Sequence, residues 1–155
     1  MAYDGSGMQT LSETRITNRQ RVQPNHANNY EAVHGGNLMK WMDEVGAMAA
    51  MRFAGETCVT AAVDEFSFER PIPVGETALI DAYVFDAGRT SVRVFLRAYR
   101  EEPRSGETKQ TTAACFTFVA VGDDGKPVPV PSVRIETEED ERLQATARDA
   151  VDGGD

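Results

Sequence analysis

Apolar residues recur at three- and four-residue steps through Leu38, Met42, Val45, Ala49 and Phe53, and this spacing predicts a helix over 36–53. Met39, Gly46, Ala47 and Ala50 supply a second face of small and apolar side chains, so the helix is expected to be buried nearly all round. Gly55 follows as its C-cap. Beyond it the period changes to two. Strands are expected over 58–68, 77–86, 90–100 and 108–121, separated by Pro71-Ile72-Pro73 with Gly75, by Ala87-Gly88, and by a turn over 101–107. The third is the clearest: Val92, Val94, Leu96 and Ala98 alternate with Arg93, Phe95, Arg97 and Tyr99. In the last strand Ala114, Phe116 and Phe118 share a face, and residues 12–22 read as a polar strand around Ile16 and Val22. One long helix with about five antiparallel strands is an α+β arrangement, the sheet wrapped around the helix. The other sheet face, with Phe85, Phe95 and Tyr99, is too apolar for open water, which predicts an oligomer.

At 155 residues the chain fits one domain. Residues 1–11 are expected to be a flexible lead-in and 12–131 the folded domain. Residues 132–155 turn Pro-rich and then acidic, reading as a solvated helix or frayed end. No apolar run reaches the roughly 20 residues that span a bilayer, and the first residues lack the basic and apolar regions of a secretory signal. Cys58 and Cys115 lie in strand-like runs with no metal-ligand spacing around them, so no metal or other cofactor is expected and a reducing cytoplasm fits. The net charge of −9 argues against nucleic acid or an anionic membrane as partner. Such an acidic surface is similar to that of proteins from salt-loving organisms.

The segment 25–43, NHANNYEAVHGGNLMKWMD, concentrates chemistry. An Asn-rich turn leads through Gly35-Gly36 into the long helix, and Asp43 follows inside it. A helix start presents unpaired N–H groups and partial positive charge, which polarise a carbonyl or hold an anion. Asp43 shares its side with Met39, Ala47 and Ala50 rather than with a polar stripe, a costly place for a charge with no task. A carboxylate so placed can serve as general base or nucleophile.

The ordered set Pro24-Asn25-His26-Ala27-Asn28, Val33-His34-Gly35-Gly36, Leu38 to Asp43, Val59 to Asp64, Phe68 to Gly75, Gly88-Arg89-Thr90-Ser91 and Cys115 to Val121 resembles the hotdog-fold acyl-CoA thioester hydrolases of the YciA and brain-type group. The resemblance implies a hotdog fold, hydrolysis of acyl-CoA to free acid and CoA, and a homodimer as minimal unit, with trimers of dimers (hexamers) common. It implies that Asp43 is catalytic, that the Gly35 and Gly36 amides polarise the thioester carbonyl, and that Asn28 orients water or substrate across the dimer interface. It makes the turn of Gly88, Arg89, Thr90 and Ser91 the CoA contact, places His34 beside the substrate, and lets Asp64 help position water. Relatives often place glycine after this asparagine, whereas this chain continues Tyr30-Glu31-Ala32, which bears on the loop geometry around Asn28. Two other readings stay open on the residues: a non-catalytic acyl-CoA-binding sensor, and a hydratase or dehydratase. No Asp-to-His spacing of the hydratase kind is present, no output module accompanies a sensor, and the helix carboxylate that a sensor would lack is in place.

Overall fold

The computed structural model describes residues 9–64 and 68–151. A short 3-10 turn, Ser12–Thr14, precedes β1 (Ile16–Arg21); then come α1 (Gly35–Ala54), β2 (Thr57–Asp64), β3 (Thr77–Ala87), β4 (Ser91–Glu101), β5 (Thr108–Val121) and α2 (Glu138–Val151). The five strands form one antiparallel sheet in the order β1-β3-β4-β5-β2. This is the α+β hotdog arrangement, a long helix held in the curve of the sheet. β2 ends at Asp64, short of the expected 68; residues 65–67 of that expected strand lie outside the described residues.

α1 packs on the inner sheet face. Leu38, Met42, Val45, Ala49 and Phe53 meet Ile80, Ala82, Val84, Val92, Val94, Leu96, Phe116 and Phe118, and all are buried. Gly46 is where the helix comes closest. A Cβ there would sit 3.0 Å from Leu96 Cδ1 and 3.1 Å from Phe118 Cζ, so only glycine keeps this approach without displacement. Gly55 closes α1 in the left-handed conformation (φ 71°), as its position predicts.

The outer face departs from expectation. The acidic tail is helical, as expected, and mostly exposed, but one face is buried: α2 lays Leu143 and Ala147 on Leu11, Tyr83, Phe85, Phe95 and Cys115. Tyr83 Oη donates to the Leu143 carbonyl at 2.6 Å, and Gln144 Nε2 to that of Phe85 at 3.0 Å. The helix start is a capping box. Asp140 N donates to Thr137 Oγ1 at 3.1 Å, and the Asp140 carboxylate accepts from Thr137 N at 3.1 Å and Glu136 N at 2.9 Å. Its other oxygen takes Ser12 N at 2.8 Å and so binds the N-terminal turn to the C-terminal helix. Burial alone would raise the Asp140 carboxyl, but these N–H donors outweigh it and pull it down to about 2. Phe85 and Phe95, expected to be covered by another copy, are therefore covered by the chain's own helix. Beyond α2 the outer face is polar, with Asp81 bridging Arg15 Nε at 2.7 Å and Arg97 Nη2 at 2.9 Å.

The sheet has two mostly exposed edges, β1 and β2, and exposed apolar side chains gather at the β2 edge. Thr57 to Asp64 are mostly exposed, Val59 is 48% exposed, and Met48 and Met51 of α1 stand exposed as well. A bulge between Thr60 and Ala62 interrupts the pairing of β2 with β5.

Candidate functional site

The approach to α1 is a fixed loop. A 3-10 turn (Pro24–His26) carries a capping box in which Gln23 N donates to His26 Nδ1 at 3.0 Å. The His26 ring packs edge-on against Trp41 with centroids 4.9 Å apart, and its carbonyl receives His34 N at 2.8 Å and Asn37 Nδ2 at 3.1 Å. His26 is thus the post on which the loop hangs. Next to it Asn28 Oδ1 accepts from Tyr30 N at 2.8 Å and closes a tight turn through Glu31, whose φ is 58°. This use of the oxygen leaves Asn28 Nδ2 as the group able to donate outward.

Of the amides that open α1, Asn37 and Leu38 donate to the His34 carbonyl at 2.9 and 3.2 Å. Gly36 donates to the His34 imidazole, Nδ1, at 3.1 Å, which fixes the ring's own proton on Nε2. Gly35 N–H is the helix-start donor left open toward a ligand. His34 is therefore the N-cap of α1, and of the two glycine amides Gly35 is the more available.

Asp43 lies half-buried on the side of α1 that faces β2. Its Oδ1 accepts a hydrogen bond from Thr60 Oγ1 at 2.5 Å. Thr60 was not singled out from the sequence; a hydroxyl among small residues of a strand gives no signal until the helix is set beside it. Eight residues separate Gly35 from Asp43, a rise of about 12 Å along the axis. The open amide and the carboxylate of one chain therefore stand too far apart to act on one carbonyl.

Asp64 is not beside them. Counting by twos from Cys58 keeps it on the helix side, but the extra residue in the β2 bulge turns it over. It pairs with Cys115 and borders a cleft on the outer face with Arg93 and Phe95. Burial holds the Cys115 thiol above its ordinary range, so it stays protonated there. The turn of Gly88, Arg89, Thr90 and Ser91 is held by Gly88 N on Ser91 O at 2.9 Å and Val130 N on Arg89 O at 2.9 Å. Ser91 and Val59 both pair with Val119, which places this turn near the C-terminal end of α1, away from Gly35. Arg89 is exposed there.

Around Gly35 itself opens a cavity of about 300 Å³, lined by Asn28, Val33, Gly35, Phe68, Arg70 and Pro71 among others. No group of three or more His, Cys, Asp or Glu side chains able to hold a metal occurs among the described residues, and no helix there is long and apolar enough to cross a membrane.

Residues 30–107 match the Thioesterase superfamily. The chain is similar to an uncharacterized acyl-CoA thioester hydrolase, YkhA, of Bacillus subtilis, at 36% identity over 87% of this chain and 78% of that one. Among solved structures, an apo-hexameric acyl-CoA thioesterase superposes with a TM-score of 0.82 at 34% identity, covering 90% of each chain. An acyl-CoA hydrolase from Staphylococcus aureus, solved with butyryl coenzyme A, coenzyme A and coenzyme A disulfide, gives 0.82 at 32% identity, over 90% of this chain and 85% of that one. That hydrolase has also been solved with single alanine replacements of an asparagine, an aspartate and a threonine.

Proposed function

The chain belongs to the thioesterase superfamily, and from that membership and the geometry of α1 we propose that it hydrolyses acyl-CoA thioesters at a site shared between two copies. The observation that carries the reading is the placement of Asp43. It is a carboxylate hydrogen-bonded to Thr60 on an edge strand that pairs only with β5, about 12 Å from the amide it would need in its own chain. An edge strand with Val59 exposed and Met48 and Met51 beside it suits pairing with the β2 of a second copy. Such pairing brings Asp43 of one copy toward Gly35 and Asn28 of the other. The dimer is the minimal unit on this reading, and the hexamers among its structural relatives make three dimers the natural assembly.

In that site the Gly35 N–H, at the positive end of α1, holds the thioester carbonyl oxygen and stabilises the charge that develops on attack. The Gly36 N–H joins it when the His34 imidazole yields its hydrogen bond. Asn28 Nδ2 donates to the attacking water or to the carbonyl. Thr60 Oγ1 occupies one oxygen of Asp43 and leaves the other to take a proton from water. Water oxygen bonds to the acyl carbon, the carbon–sulfur bond breaks, and the thiolate recovers the proton from Asp43. The products are a carboxylic acid and CoA-SH, with no metal or redox group in the scheme. Direct attack by Asp43 uses the same carboxylate through an anhydride, and ¹⁸O from labelled water found in Asp43 after a single turnover distinguishes the two. Arg89 and the hydroxyls of Thr90 and Ser91 offer the local attraction for CoA phosphates that a net charge of −9 otherwise opposes.

The test is free-thiol release from a panel of acyl-CoAs, in low and high salt. Asp43→Asn is expected to lose about 10²- to 10⁴-fold in kcat. Asp43→Asn and Asn28→Ala chains are then refolded together. A hybrid dimer keeps one unaltered site if the site is shared, so activity returns on mixing. Failure of the mixture to exceed its parents, with hybrids shown to form, sinks the shared site. Lack of thiol release from every acyl-CoA sinks the activity.

A further inference from the structure

We propose that Phe68 selects the acyl chain, its ring walling the cavity into which the chain runs from the carbonyl held at Gly35; this rests on the thioesterase reading above. A Cβ on Gly35 would meet Phe68 Cε2 at 2.9 Å and Cζ at 3.3 Å, so the ring lies directly against the start of α1. Glycine is what leaves room for it there. The about 300 Å³ cavity beside the ring also reaches Asn28, so both groups assigned to the carbonyl open onto it.

The lining decides which end of the substrate enters. Ala32, Val33, Phe68 and Pro71 give it an apolar wall that suits a hydrocarbon chain, beside Glu69 and Arg70, whose guanidinium is engaged by the Gln110 carbonyl. The turn at Gly88 to Ser91, near the far end of α1, is the separate place for the phosphates. The chain segment behind the ring is anchored: Glu69 N donates to Thr111 O at 2.8 Å, Arg70 Nη1 to Gln110 O at 2.8 Å, and Val33 N to Ile72 O at 2.8 Å. Phe68 itself is 44% exposed, large for an aromatic ring beside a reaction site. A bulky side chain on a fixed strap, facing both the open amide and the cavity, limits how much chain can pass.

The experiment measures kcat/KM for straight-chain acyl-CoAs from acetyl to palmitoyl, for wild type, Phe68→Ala, Phe68→Leu and Phe68→Trp. Each methylene accommodated or excluded in a hydrophobic pocket is worth about tenfold or more, so Phe68→Ala is expected to raise the octanoyl-to-butyryl ratio by at least about tenfold. Phe68→Leu should raise it less and Phe68→Trp should lower it. Leu and Trp keep an apolar group at the strap, so the series stands even if the alanine variant fails to fold. Chain-length profiles of the Leu and Trp variants within about twofold of wild type at every length overturn the proposal. A wild type that releases no thiol from any acyl-CoA overturns the thioesterase reading instead, and the two failures are told apart in the same assay.

Discussion

The hold of α2 on the sheet rests heavily on one carboxylate, and Asp140→Asn tests it. Asn keeps one carbonyl oxygen but turns an NH₂ toward either Ser12 N–H or the Glu136 and Thr137 N–H pair, so donors face donors on one side. The fall of the Asp140 carboxyl from 3.8 to about 2 corresponds to at most about 2.4 kcal/mol at pH 7, at 1.36 kcal/mol per pH unit. Asp140 is itself unexposed, but it sits at a helix start near the surface, where water screens the interaction, so ~1–2 kcal/mol is the realistic loss and matches that of an N-terminal cap. For a chain of this length that lowers Tm by about 2–8 °C. The sign with pH follows from the lowered folded-state value. The stabilisation is complete above the ordinary carboxyl range near 3.8 and is lost as pH falls through about 2, so the gap between wild type and Asp140→Asn should close over that window. Two assays apply: thermal melts from pH 7 down to pH 2, and labelling of Cys115, only 1% exposed beneath α2, by a thiol reagent located by peptide mass. Faster labelling and a lower Tm are expected. A Tm within about 1 °C of wild type at pH 7, with Cys115 labelled no faster, refutes the assignment of this grip to Asp140.

At the proposed site, Thr60→Ala should cost about tenfold or more in kcat with KM little changed, because Asp43 loses the bond that aims it, and Thr60→Ser should restore most of the rate. Steady-state kinetics across the three forms decides it. In the core, Gly46→Ala gains about 1 kcal/mol of helix propensity but drives a methyl to 3.0 Å from Leu96 and 3.1 Å from Phe118. Overpacking of about 1–3 kcal/mol should outweigh that gain, so a net loss of ~1 kcal/mol is expected in a urea titration, and a stabilised variant would show that the helix shifts freely on the sheet.

The core was legible because its periodicities are strong. The steps from Leu38 to Phe53 set α1 within one residue at each end, and the alternation in β4 assigned Val92, Val94, Leu96 and Ala98 to the buried face. The strand expected at 108–121 has those bounds. What escaped depends on contacts between distant segments. The packing of α2 was hidden under its acidic surface, although Thr137 three residues before Asp140 is a capping-box signature and Leu143 and Ala147 are four apart. The role of His34 as N-cap needed the loop geometry, since a histidine before two glycines is silent about which amide it occupies. The bond from Thr60 to Asp43 joins residues 17 apart, and no local pattern reports it.

The bulge in β2 has a consequence for how this strand can change. A regular strand repeats every two residues, so Thr60 and Val63, three apart, would point to opposite faces. The one-residue phase slip at Ala61 lets the Thr60 hydroxyl reach the helix while Val63 still packs into the core. Deleting Ala61 would leave Thr60 and Val63 two apart in a regular strand, both still facing the helix, whereas straightening the strand at its present length would turn one of them out. The stretch should therefore bear the loss of its extra residue better than a repacking that irons out the bulge, because what is held there is a frame and not a composition.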